Sequence, residues 1–369
     1  MLNDGMTILL LNQYGPQDAA PTARLLTDLA EEFSRQGCAV RFVYDKTSYT
    51  QRARGWRRWV RELRAHGSLL AQGLAGQRPD LIISLTSPVC LVVTGAVLAF
   101  WHQAKHIHWA MDIYPDLAYE LGEIKAGLLF KGLQKMMRTA YAQCHHVVAL
   151  DEDMQDAFKQ RYELKTQRIS PWPSVTHSEE VLSPEPAQTE SSWTWLYSGN
   201  LGRAHEWETL LKVQIELEKD GVPATLVFQG DGAGMENLLN KVAQLGLKRC
   251  QIRPYVRQEE FLKSLLQADV LIVTRKPQTC GLLWPSKCAL VQELPRPLLW
   301  VGEVKSHYTN QLRQRKAAGV FAPDEVPLIK AWLIAETAHE KAPFIYEPKF
   351  SRLRKSGLRQ WVELVDLKK

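Results

Sequence analysis

Two parallel-sheet α/β domains joined by a polar hinge are the fold class that this sequence predicts. Three observations carry the prediction. Short, near-continuous apolar runs alternate with helical stretches, as strands covered on both faces require. The alternation occurs twice along the chain. A stretch with linker composition separates the two series. The length, 369 residues, suits two domains better than one.

In the first series the strand-like runs are Thr7–Leu11, Val40–Tyr44, Leu81–Ser84, His106–Ala110 and His146–Leu150. In the second they are Trp195–Ser198, Thr225–Gln229, Gln251–Arg253, Val270–Thr274 and Leu298–Val301. Amphipathic helices are expected between them at Thr22–Gln36, Trp207–Lys219 and Glu259–Gln267. Residues 178–192 carry Glu179, Glu180, Pro184, Glu185 and Pro186, with no large apolar side chain after Leu182. The expected boundaries are therefore 1–177 for the first domain, 178–192 for the linker and 193–344 for the second domain. Residues 345–369 form a tail whose stretch Phe350–Leu367 has Leu353, Leu358, Trp361 and Val365 at helical spacing.

Hydrophobic residues make up 45% of the chain, charged residues 23%, and there are twelve Trp. That composition builds cores and excludes a disordered chain. No apolar run reaches the roughly 18 residues of a membrane span. The longest, Val89–Trp101, is broken by Thr94 and Gly95. Met1–Gly5 is polar and lacks the basic start and apolar stretch of a secretory signal, so a cytoplasmic location is expected. The six Cys show no paired spacing and read as reduced thiols.

Four motifs follow strands at the carboxyl ends, where open α/β sheets bind ligands. Tyr197–His205 contains Gly199, Asn200, Gly202 and Arg203 between a strand and a helix; it suits either a phosphate-facing loop or a plain tight turn. Gln229–Gly234 has glycines at 230, 232 and 234 and is open to the same two readings. Gly281–Lys287 places Pro285 at an expected first helical position, with Ser286 and Lys287 in the first turn. A cation there opposes the helix dipole unless an anion is bound; the alternative is a solvated surface Lys. Arg275 and Lys276 add charge beyond the preceding strand. In His106–Asp116, His108 lies in a strand and Asp112 just past its end. His106 and His108 share a strand face, which suits two core histidines or half of a metal site; with no third ligand, no metal is expected.

The net charge of +6 comes mostly from one place. Gln51–Arg64 has six Arg and one Glu. On a helix, Trp56, Trp59, Val60, Leu63 and Leu70 fall to one side, and Arg54, Arg57, Arg58, Arg61 and Arg64 largely to the other. An anionic membrane surface fits this pattern. Plain packing by the Trp face and a nucleic-acid patch are the alternatives; no nucleic-acid partner is expected.

Taken in order, these motifs resemble the bacterial family-4 glycosyltransferases, in the branch that builds O-antigen, colanic-acid-like and other surface polysaccharides. The residues are Asn12–Arg24, Asp112–Asp116, Tyr197–Gly202, Gly230–Gly232 and Pro285–Lys287. The resemblance implies a GT-B fold, two Rossmann-like domains facing across a cleft, with the last helix crossing back to the first domain. It implies a retaining transfer from a nucleotide-diphosphate sugar, expected to be UDP-linked, without a cofactor or an essential metal. The acceptor is expected to be lipid-linked or an oligosaccharide, at the inner face of the plasma membrane.

Carried over by position, the resemblance sets Gly199, Asn200, Gly202, Gly230 and Gly232 against the donor diphosphate. Ser286 and Lys287 hold phosphate oxygens, His108 lies near the transferred sugar, and Asp112 stands at the acceptor entrance. Asp18–Arg24 closes over the cleft. The sequence departs from the broad family where Gln278 and Ser286 replace a Glu pair, and where Asn200 and Glu206 replace an Arg and a Lys. Arg203, Arg275 and Lys276 are the cations available to replace the missing charge. Two rivals accompany this expectation: a hydrolase or epimerase on the same fold, and a non-catalytic nucleotide-sugar-binding subunit.

Overall fold

The apolar runs become two six-stranded, wholly parallel sheets in a computed structural model of the chain. The structure describes residues 5–18, 20–45, 56–173, 192–338 and 350–366; the expected linker falls outside them except for Ser192. The chain divides into two units. Unit 1 is Met1–Ser174 with Gly281–Trp284 and Arg352–Lys369; unit 2 is Val175–Cys280 with Pro285–Ser351.

Unit 1 holds β1 (Thr7–Leu11), β2 (Ala39–Val43), β3 (Leu81–Ser84), β4 (Lys105–Trp109), β5 (His146–Ala149) and β6 (Gln167–Arg168). Their order is β2-β1-β3-β4-β5-β6, so the topology reverses between β1 and β3. The helix Pro21–Arg35 starts with Pro at its first turn and buries Ala23, Leu26, Leu29, Ala30 and Phe33, an i, i+3, i+4 stripe. In the helix Trp56–Leu74 only the backbone is described for residues 56–59. Its core face is Ala65 and Leu69, both fully buried, while Leu63, set with Trp56 and Trp59 on the apolar side by the sequence pattern, is 71% exposed. Arg61 is half-buried, although the sequence pattern set it on the polar side.

The last helix, Phe350–Val365, belongs to unit 1 from Arg352 onward. Trp361 is fully buried, with its ring 4.8 Å from that of Trp109. Arg354 pairs with Asp28 at 2.7 Å and Glu31 at 3.1 Å, and the Trp172 indole N–H donates to Asp28 at 2.6 Å. Gly357 explains itself by position: a Cβ there would stand 2.5 Å from the Trp172 ring. The close approach trades helix propensity for contact between the helix and the Trp172 ring.

Unit 2 holds β7 (Trp193–Ser198), β8 (Ala224–Gln229), β9 (Cys250–Arg253), β10 (Val270–Thr274), β11 (Leu298–Val301) and β12 (Ala318–Phe321). Their order, β12-β11-β10-β7-β8-β9, is the doubly wound order with its reversal between β7 and β10. Trp195, Tyr197, Leu226, Phe228, Val270 and Ile272 form one core with the helices Glu208–Lys219 and Val326–Thr337. The two strands that the sequence pattern did not show are β6, two polar residues at a sheet edge, and β12, four residues containing Gly319. Neither has the length or apolar continuity of a central strand. The six Cys are free thiols.

Trp361→Ala removes the largest side chain that the last helix buries. It should cost unit 1 about 3–5 kcal/mol, read as a lower denaturant midpoint by circular dichroism. A loss below about 1 kcal/mol would mean that this helix is an accessory to unit 1.

Candidate functional site

In unit 2 the loops after β7 and β8 lie side by side at the carboxyl edge of the sheet. The Leu201 N–H donates to the Asp231 carbonyl at 2.7 Å, and the Gly234 N–H to the Leu201 carbonyl at 2.9 Å. A Cβ on Gly230 would fall 2.3 Å from the Gly199 carbonyl oxygen, and φ there is +143°. A Cβ on Gly232 would meet the Leu201 carbonyl at 2.2 Å. The glycines at 230 and 232 are therefore required first by the neighbouring loop. Their backbone makes room for Gly199–Leu201, the loop that the sequence reading placed against phosphate.

Lys287 reaches this loop from the other side of the reversal. The expected helix starts one turn later than the sequence suggests: Ser286 and Lys287 form a turn, and Lys287 caps the short helix Cys288–Val291. A dipole argument at a first helical turn does not apply, because the side chain leaves the helix. Its ammonium lies 3.3 Å from the centroid of the Tyr197 ring, and an ideal Cβ on Gly199 would be 3.5 Å from its Nζ. Nζ is shielded from solvent, and among the described residues it has no hydrogen-bond partner. The ring face compensates only part of the lost hydration. Burial pushes the ammonium down to about 7.

His205 completes this corner. Its Nδ1–H donates to the Thr274 carbonyl at 2.8 Å, and its ring meets Tyr197 edge-on at 5.6 Å. Burial, with the Lys287 charge nearby, pushes the imidazole down to about 3, so it is neutral. The Tyr197 hydroxyl donates to the Asn200 carbonyl at 2.9 Å and holds the loop over the strand. Tyr197 and His205 bracket the first motif and were not singled out from the sequence. Their signal was position alone, at the two ends of a glycine loop. Asn200 and Gly202 are half-buried, and Arg203 and Ser286 are exposed. The Glu206 carboxylate accepts from the Thr209 N–H at 3.1 Å, so it caps a helix.

Arg275 does not join this corner as a free cation. Its guanidinium is fully buried, bonded through both Nε and an Nη to the Glu303 carboxylate, and lies 5.2 Å from the Trp300 ring centroid. Two-pronged pairing turns its donors inward. The sequence showed a cation past a strand end but not its partner, 28 residues further on.

In unit 1, His106 and His108 do share a face of β4, and that face is interior. Ser84 Oγ lies 2.8 Å from His106 Nε2 and 3.0 Å from His108 Nδ1, which the pairing Ser84 with His108 in the β3–β4 register produces. One hydroxyl proton serves both contacts: the serine donates to one ring and accepts from the other. Burial holds both imidazoles well below their usual range, so both are neutral. His108 is a core residue by its surroundings, which corrects its placement at an open site. Among the described residues, no three His, Cys, Asp or Glu side chains converge as a metal site.

Asp112 differs. Past the end of β4, its backbone pairs with Leu283 in an antiparallel bridge, and the Ile113 N–H donates to the Leu282 carbonyl at 2.8 Å. The Asp112 N–H and that of Met111 point to Thr86 Oγ1. The carboxyl group is pushed up to about 6 by burial alone. Asp18 accepts from the Ala20 N–H at 2.9 Å ahead of the helix Pro21–Arg35, and Arg24 is half-buried in that helix.

No family model matches the chain. A curated relative, the probable glycosyltransferase WbjE of Pseudomonas aeruginosa, is 24% identical over 270 residues, 70% of this chain and 66% of the relative. The match thus spans just under two thirds of that protein. Among solved structures, sucrose-phosphate synthase of Thermosynechococcus elongatus aligns with a TM-score of 0.65 at 12% identity, covering 98% of this chain and 95% of that one. HepE of Anabaena in complex with UDP aligns with a TM-score of 0.58 at 14% identity, covering 98% and 96%.

Asp112→Asn tests the carboxyl group. Its folded-state value is raised, so ionisation opposes folding above about pH 6, and the penalty fades as pH falls towards the ordinary 3.8. The variant should be more stable than the parent by roughly 1–3 kcal/mol at pH 8. The two should melt alike at pH 4. A variant less stable at both pH values would show that the carboxylate has a partner that holds it ionised.

The chain has the GT-B fold, two Rossmann-like units in one polypeptide, and it resembles the bacterial family-4 glycosyltransferases in sequence motifs and in architecture.

Proposed function

We propose that the chain is a retaining glycosyltransferase that moves a sugar from a UDP-linked donor to a lipid-linked acceptor in cell-envelope polysaccharide or glycolipid assembly. One observation carries the reading: the shielded, unbonded ammonium of Lys287 at the switch point of unit 2, beside the Gly199 loop. An ammonium in that state lacks a counter-charge, and a diphosphate supplies one. The relative named a probable glycosyltransferase and the UDP-bound structure on the same fold support the same class of donor.

Chemistry follows from the leaving group. As the glycosidic bond breaks, charge grows on the departing nucleoside diphosphate. Lys287 meets that charge in a shielded place where electrostatic contacts are strong. In this reading no metal is needed for that task. The neutral His205 ring, fixed on Thr274, presents Nε2 without adding charge. On the acceptor side the reading uses Asp112, whose carboxyl group changes charge near pH 6 and so exchanges a proton readily near neutrality. Gln278 and Ser286, both exposed, stand where the family resemblance implies a Glu pair, and this favours the second reading of a nucleotide-sugar-binding subunit. Release of UDP from a UDP-sugar, with and without acceptor, separates the two.

A lipid-linked acceptor calls for a membrane surface. Trp56, Arg57, Arg58 and Trp59 lie where side chains are not described, but neighbouring features support the reading. Exposed Leu63 and Arg64 follow in the same helix. The helix Leu128–Ala142 opens with Leu128 and Leu129, 90% and 70% exposed, next to exposed Lys125, Lys131 and Lys135. No helix among the described residues is long and apolar enough to cross a membrane. Apolar tips among cations suit the interfacial region of anionic lipid. We place the protein on the cytoplasmic face, held peripherally.

Two measurements test the proposal. At pH 8 the parent's Lys287 is mostly neutral and is re-protonated when a diphosphate binds, so calorimetry in buffers of different ionisation enthalpy should show proton uptake approaching one. At pH 6 the uptake should vanish. Lys287→Ala should remove it and weaken nucleoside diphosphate binding about tenfold or more; unchanged binding puts the phosphate site elsewhere. Sedimentation with phosphatidylglycerol vesicles should weaken as salt rises, since each basic residue near the surface contributes about 1 kcal/mol. Leu128→Glu with Leu129→Glu, and separately Arg57, Arg58 and Arg61 all changed to Glu, should each reduce it. No change in either variant removes the membrane from the proposal.

A further inference from the structure

We infer that Glu62 and His66 are positioning residues for the acceptor side: they hold the backbone of Val89 and, through the loop after β3, set where Asp112 stands. The inference rests on the reading of Asp112 as the acceptor-side carboxyl group. Glu62 and His66 lie four residues apart on the helix Trp56–Leu74, so both project from one side of it. The Val89 N–H donates to Glu62 Oε2 at 3.0 Å, and the Val89 carbonyl lies 2.9 Å from His66 Nε2. A carbonyl only accepts, so Nε2 carries the hydrogen, and Nδ1 pairs with the Thr94 hydroxyl at 2.7 Å. Side chains 27 and 23 residues away in sequence thus satisfy both polar groups of a single loop residue. The helix already has its core face in Ala65 and Leu69; the polar pair serves this one loop.

Val89 precedes Cys90, whose φ of 69° and ψ of 23° lie in the left-handed region that a residue with a β-carbon seldom adopts. Such a conformation persists where its neighbours over-determine it, and ligand clamps are a common place for it. The loop lies at the carboxyl edge of unit 1, beside the reversal between β1 and β3. Its other ties run towards Asp112. The Leu85 N–H donates to the Leu11 carbonyl at 3.1 Å, and the Gln13 N–H to the Ser87 carbonyl at 2.7 Å. Thr86 Oγ1 accepts from the Met111 N–H at 2.8 Å and from the Asp112 N–H at 3.4 Å. Val89 is three residues from Thr86, so a shift at the clamp reaches the Asp112 backbone across one side chain. The clamping helix is itself held at its far end. A Cβ on Gly73 would stand 2.5 Å from the Leu98 side chain, and His102 Nε2 lies 3.0 Å from the Gly73 carbonyl. Burial together with the Glu62 carboxylate pushes the Cys90 thiol up to about 12, as a corner poor in water requires.

The test uses the full chain and follows UDP release from UDP-glucose, UDP-galactose and UDP-N-acetylglucosamine, with water as the acceptor. In the parent, kcat with the best donor should rise with pH through about 6, and Asp112→Asn should lose that limb. Glu62→Ala and His66→Ala should each lower kcat about ten- to a hundredfold, as misplacement by about 1 Å does, and leave donor KM within about twofold. In both, the limb should move down towards the ordinary 3.8 as water reaches the carboxyl group. Glu62→Gln keeps an acceptor for the Val89 N–H and should behave like the parent. Thr86→Val is close in shape, removes the link to Asp112 and should repeat the Ala result; it decides the matter where an Ala variant does not fold. Parent-like kcat and limb in the Ala variants or in Thr86→Val overturn the inference and leave the Asp112 reading standing. So does a loss of kcat with an unmoved limb and a raised donor KM, which marks a general loss of structure. A parent that releases no UDP, or whose kcat has no limb near pH 6, ends the Asp112 reading and the inference with it.

Discussion

An ammonium held against an aromatic face with no hydrogen bond is the interaction on which the candidate site depends. Burying Lys287 beside Tyr197 costs free energy in the unliganded protein, because neither the ring nor any described acceptor replaces its water. Its surroundings are arranged to keep that state and not to relieve it. His205 stays neutral, bound to the Thr274 carbonyl. Arg275, the other cation past β10, is taken up by Glu303 in a buried pair and so is not available to this corner.

The glycines show how backbone geometry sets up this electrostatics. Gly230 and Gly232 are needed because the loop after β7 presses its carbonyls into them. That contact, with the Leu201–Asp231 and Gly234–Leu201 hydrogen bonds, fixes the first loop through its backbone. The Tyr197 hydroxyl adds a third restraint through the Asn200 carbonyl. A loop restrained by its neighbour's backbone is pre-organised, so little ordering remains for a ligand to bring about. Glycine here is a packing requirement whose by-product is an open approach.

Most of the architecture was legible in the sequence because parallel strands buried on both faces are apolar throughout. Thr7–Leu11, Leu81–Ser84, Val270–Thr274 and Leu298–Val301 fall where the pattern set them. The edge strands β6 and β12 did not show, since an edge needs neither length nor apolar continuity. The site was legible in its positions and less so in its causes. Lys287 was conspicuous for opposing a helix dipole, yet the helix begins after it, and the cause is burial over Tyr197. Period-two spacing put His106 and His108 on one face; whether that face was inside depended on Ser84, a strand away. Arg275 looked like a free cation because its partner lies in another loop. In the helix Trp56–Leu74 the pattern identified an amphipathic element, and the core takes Ala65 and Leu69 from it while Leu63 stays exposed.

These differences share one origin. Periodicity along a chain reports which side chains point the same way, and it is silent on what the next strand offers them. Each residue whose role changed between sequence and structure has its deciding partner in a different loop or strand: Tyr197 for Lys287, Ser84 for His108, Glu303 for Arg275. In a doubly wound sheet those partners meet at the carboxyl edge, where successive loops of distant sequence lie side by side. Lys287, without a hydrogen bond among the described residues, lies at that edge in unit 2, beside the loop after β7 where the sheet order reverses.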